Sequence, residues 1–216
     1  MRNLLICILV CLAQLASAQP APHSAMRSMK EVTDLAQQSL EVFSQVANDG
    51  NYRSLGFDSL AEIRSARAEP AIPVYMVGLD TLRRYARGSD PVALLMPLDK
   101  AIVPLSVQGQ VKSSVSVEMR DGRWSVESYG APNLARALAR ARVAVANAAQ
   151  GAAPFAVHVP ALNSYFLGHR EGTRLMLTTV IDDPNLKVPA GRTLPAEDVF
   201  ATLAPIAQAH NGLPSN

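Results

Sequence analysis

Asp121-Gly122 is the dipeptide that most constrains the fold of this chain. A two-residue hairpin turn of type I′ needs positive φ at both positions, and Asp-Gly supplies that at little cost. With Arg120 opposite Arg123, Met119 faces Trp124, Val117 faces Val126 and Val115 faces Ser128. The apolar residues of both strands then share one side, and a slip of one residue would turn them all to water. One strand earlier, Gln108-Gly109-Gln110 reads as a three-residue turn, pairing Val107 with Val111, Leu105 with Ser113 and Val103 with Val115. Residues from about 101 to 129 are therefore predicted to form a three-stranded antiparallel meander with one buried face.

Around the meander the pattern alternates between helix and strand. Ser28 and Glu31 read as a capping box opening a helix whose apolar stripe runs through Val32, Leu35, Ala36, Phe43 and Val46, stopped at Asn48-Asp49-Gly50. Ser59 and Glu62 repeat that spacing for a shorter helix to about Ala68. Strands are predicted near 74–79, 155–167 and 175–181, with a turn at His169-Arg170-Glu171-Gly172. Pro132 opens a helix lined by Leu134, Leu138, Ala141, Val145 and Ala148, and a last helix runs from near Pro195 to about His210, with Pro205 inside it. Grouped strands joined by short turns imply an α+β fold. Its antiparallel sheet has helices packed on one face, in a single domain over 28–216.

The first eighteen residues read as a secretory leader. Arg2 gives a positive start, Leu4 to Ala16 an apolar run, and Ala16-Ser17-Ala18 a small-x-small cleavage site. Residues 19–27 read as a flexible arm. Removal after Ala18 leaves 198 of the 216 residues and takes both cysteines, Cys7 and Cys11, so no disulfide, thiolate metal site or cysteine nucleophile is expected. With 49% hydrophobic residues in the chain, a sizeable core can form, and no later apolar stretch approaches membrane-spanning length. The balance of 20 basic against 18 acidic residues lacks the strong basic excess of a nucleic-acid binder. The expected location is secreted or periplasmic.

Motifs for chemistry are few. The sequence contains no Gly-x-Ser-x-Gly elbow, no His-Glu-x-x-His and no Gly-rich phosphate loop, so neither a catalytic group nor a cofactor is expected. His158, His169, Asp182 and Asp183 are the one imaginable metal set, at spacings unlike those of zinc sites. The stretch from Val157 to Leu167 mixes apolar, aromatic and polar groups, and His158, Asn163 and Tyr165 could orient a ligand in a pocket there. The polar side of the meander, with Lys112, Glu118, Arg120, Arg123 and Glu127, forms a candidate interaction surface. Arg136 and Arg140, one turn apart on their helix, could join it by gripping a carboxylate or phosphate. The reading that results is a non-catalytic binding or interaction protein of unknown partner. The alternative is a small-ligand binder or hydrolase built around His158 to Phe166.

Overall fold

A computed structural model describes residues 22–146 and 153–211. Residues 1–21, with the expected leader and cleavage site, lie outside the described residues, as does Ala148. The described residues begin with helix α1 (Pro22–Val46) and α2 (Leu60–Ser65), followed by β1 (Arg67–Ala68), β2 (Ile72–Met76) and α3 (Leu79–Arg83). The meander is β3 (Met96–Val107), β4 (Gln110–Arg120) and β5 (Arg123–Gly130), and α4 (Pro132–Val145) follows it. The rest comprises β6 (Phe155–Val159), β7 (Ser164–Glu171), β8 (Arg174–Thr179), β9 (Thr193–Pro195) and α5 (Ala196–Ala209). Among the described residues this is an α+β fold with one mostly antiparallel sheet of nine strands and five helices.

The Asp121-Gly122 turn forms as the sequence requires, with φ of 51° and 74° and Arg120 opposite Arg123. Met119 pairs with Trp124 and Val117 with Val126, but Val115 pairs with Tyr129 instead of Ser128. A bulge at Glu127 accounts for the change. It keeps Trp124, Val126 and Tyr129 all facing the core, where Tyr129 stacks on Phe43 at 4.4 Å and 6°. The preceding turn is also tighter than expected. Gln108 and Gly109 both have positive φ, Val107 pairs with Gln110, and an irregularity at Leu105 and Ser106 restores the expected pairing of Leu105 with Ser113.

The sheet order is β5-β4-β3-β2-β6-β7-β8-β9, with β1 added against β3. At its centre β2 and β6 run parallel, pairing Val74 with Ala156 and Met76 with His158. From this seam each half runs outward as four antiparallel strands and ends in a helix, α4 in the first half and α5 in the second.

The helices divide between the faces. Val32, Ala36 and Phe43 of α1 and Ile63 of α2 pack on Ala101, Val103, Leu105, Val115 and Val117. On that same face Leu82 of α3 and Val199, Phe200 and Leu203 of α5 cover Val157, Phe166 and Leu177. The expectation of one covered face holds for these four helices. It does not hold for α4, whose Leu138, Ala141 and Val145 pack on Ile72, Val74, Ile102, Ala156 and Leu167 across the opposite face. The physical reason is that the central strands are apolar on both sides, as the adjacent buried pairs Ile102-Val103, Ala156-Val157 and Phe166-Leu167 demonstrate.

Local differences have equally local causes. Ser28 lies inside α1 instead of capping it, and its Oγ accepts a hydrogen bond from Trp124 Nε1 at 3.1 Å. Ser59 does cap α2, accepting from the Glu62 amide, while Glu62 reaches back to the Asp58 amide. His169 is not in a turn. It is a fully buried residue of β7, and the β7–β8 turn is Gly172-Thr173.

Candidate functional site

Helix α4 covers only part of its face. Beyond it, a row of side chains crosses four strands: Met96 on β3 pairs with Met76 on β2, Met76 with His158 on β6, and His158 with Tyr165 on β7. Strand alternation puts this row on the same face as Val74 and Ala156, which α4 does cover. Met96 is 47% exposed, and Met76, His158 and Tyr165 are each partly buried. The rings of His158 and Tyr165 stack at 3.9 Å and 12°. On β3, Leu98 and Lys100 continue the same side, and Lys100 pairs with Glu127 at 2.5 Å.

Electrostatics leave the row uncharged. Burial, and secondarily the Lys100 ammonium, push the His158 pKa below its ordinary 6.5, and burial raises that of the Tyr165 phenol. Both groups are neutral at neutral pH. A histidine with a depressed folded-state pKa binds its proton more readily when unfolded, so stability is lost as pH falls below about 6.5. Thermal melts from pH 7 to pH 5 should show this acid loss reduced in His158→Gln. Equal pH slopes for the variant and the parent would refute it.

Of the three residues expected to orient a ligand, two come together and one does not. His158 and Tyr165 stack. Asn163 is an exposed turn residue with φ of 49°, its amide donating to Pro160 O. The expected interaction residues disperse. Glu118, opposite Lys100, and Glu127 border the row. Arg120 pairs with Glu118 and faces Arg123 at the hairpin tip. Lys112 ties β4 to α2 through Asp58 at 2.6 Å and Glu62 at 3.3 Å; the Asp58 contact raises its pKa and lowers that of Asp58. Arg136 bonds Asn133 and lines an open polar cleft with Arg53 and Asp58, while Arg140 lies on the outer side of α4.

The residues once imaginable as metal ligands are engaged elsewhere. His169 Nε2 lies 3.2 Å from Glu171, Asp183 caps the amides of Asn185 and Leu186, and Asp182 accepts from Ala190. Among the described residues no group of three or more His, Cys, Asp or Glu could hold a metal ion, and no helix is long and apolar enough to cross a membrane.

Met76 and Met96 are the functional candidates that sequence reasoning missed. They lie twenty residues apart and meet only through strand register, so alternation would have found them only with β2 placed correctly. Comparisons of the chain with protein-family models, curated proteins and solved structures found no match.

Proposed function

We propose that this is a non-catalytic binding protein, secreted or periplasmic after cleavage behind Ala18, that docks an apolar segment of a partner protein on the Met96–Met76–His158–Tyr165 row. The observation that carries this reading is the row itself, an uncharged strip beside α4 in which Met96 is 47% exposed. Methionine side chains are flexible and polarisable and adapt to varied apolar surfaces. Strands β2 and β6 are paired on both sides, so contact is made by side chains and not by adding a strand to a free edge. The flanking Lys100–Glu127 pair supplies a polar rim of the kind found around apolar contact centres.

A hydrolase or small-ligand site centred on His158 has less support. One face of the imidazole is already occupied by Tyr165, and the charge acting on it comes from a lysine, not from an orienting carboxylate.

The test is site-specific photocrosslinking in exporting cells, with benzoylphenylalanine at Met96 and, as a control, at exposed Val42 of α1. The expected result is a discrete protein adduct from position 96 that Met76→Lys weakens, on a chain whose mature end is Gln19. Identical products from both positions, or none, would overturn the docking reading. An uncleaved chain would overturn the export reading.

A further inference from the structure

On the face opposite the row, a groove of about 490 Å³ runs between α1 and the seam strands β2 and β6. Its walls are Met29, Ala71, Pro73, Tyr75, Ala153 and Phe155, with the Tyr75 and Phe155 rings in contact at 4.9 Å. That volume lies within the roughly 300–1,000 Å³ of small-ligand sites.

Two cations reach this groove, and they differ. Lys30 is exposed and paired with Asp34 at 2.6 Å. Arg142 comes round the end of β2 from α4, half-buried, and both of its terminal nitrogens donate to Pro70 O at 3.1 Å. Among the described residues no carboxylate lies within ion-pair distance of it. The acid that acts on it, Glu69, already accepts a hydrogen bond from Ser106. Burial lowers the pKa of this guanidinium, the signature of a desolvated charge without a close counter-ion. With the end-on fork taken by Pro70 O, a carboxylate would supply that counter-ion in a two-pronged bond to the Nε edge.

The walls also limit what the rest of the ligand can be. Thr33 Oγ is already used twice, donating to Met29 O and accepting from the Ala71 amide. Pro70 and Pro73 have no amide hydrogen, and β2 is paired with β3 along one edge and, from Val74 onward, with β6 along the other. A peptide lying here would leave its own amides without partners, whereas a polymethylene chain asks for none.

We propose that this groove binds a medium-chain aliphatic carboxylic acid, its chain against Met29, Pro73 and Phe155 and its carboxylate on Arg142. The site is separate from the methionine row and does not depend on it.

Isothermal titration of the full mature chain with decanoate and with decanol tests the assignment. Decanoate should saturate at one per chain, and decanol should bind at least about tenfold more weakly, since only the acid engages Arg142. Arg142→Gln should bring decanoate down to the decanol level while leaving decanol unchanged. Ala153→Phe, at the exposed mouth, should weaken both ligands. The proposal is overturned by non-saturable decanoate binding, by decanol binding as tightly on the parent protein, by parental decanoate affinity in Arg142→Gln, or by unchanged binding in Ala153→Phe. The parent comparison of acid with alcohol needs no variant, so it stands even if a substitution impairs folding.

Discussion

Gly56→Ala should lower the melting temperature by about 10 °C or more, at a cost of roughly 3–5 kcal/mol. Two independent penalties meet at this position. Its φ of +98° lies outside the left-handed region that L-residues tolerate, and an added Cβ would stand 2.2 Å from the Lys112 carbonyl oxygen and 2.5 Å from Pro132 Cβ. The first obstacle is backbone, so no rotamer change relieves it. Gly56 is where the loop before α2 passes β4 and the start of α4, and separating them there loosens three elements together. Native domains have only about 5–15 kcal/mol to lose. Thermal unfolding followed by circular dichroism decides the matter, and a melting temperature within about 2 °C of the parent would show that the close approach is not required.

Phe43→Ala should cost about 3–5 kcal/mol, a loss of transfer energy plus an unfilled cavity. The ring is fully buried between Tyr129, stacked at 4.4 Å, and Phe57 at 5.8 Å. Next to it in sequence, Val42 is 56% exposed, and Val42→Ala should change stability by no more than about 0.5 kcal/mol. Urea titration of the two variants side by side is the check. If Phe43→Ala loses no more than Val42→Ala, α1 is not held on the sheet by this aromatic cluster.

What could be read from the sequence depended on whether a signal was local. Asp121-Gly122 declared its hairpin because the turn's φ requirement falls on two adjacent residues. The bulge at Glu127 could not be read there, since it exists to turn Tyr129 toward Phe43, a residue more than eighty positions away. Strand β9 has three residues and α3 has five, too few for either periodicity to register. The helix on the second face did leave a trace in consecutive apolar pairs such as Ala156-Val157, though alternation within the meander argued for a single buried side. The candidate sites follow the same division. His158 and Tyr165 stood out by composition, whereas Met96 joined them only through pairing across β2. Arg142 gained its significance from reaching past Pro70, which no helical wheel of α4 would reveal.

The parallel seam also has a consequence in time. During synthesis, β2 emerges with β3 to β5 able to pair on one side, but its other partner is residues 155–159, about eighty residues downstream of Met76. At ribosomal speeds the gap is on the order of ten seconds. Until β6 arrives, the growing first half carries an unpaired apolar edge at Ile72 to Met76, and for the earlier part of that time a face waiting for α4. Such an edge recruits other strands readily. The chain is thus most open to aggregation when it is half made, and substitutions that slow the arrival of β6 should reduce yield more than they reduce the stability of the finished protein.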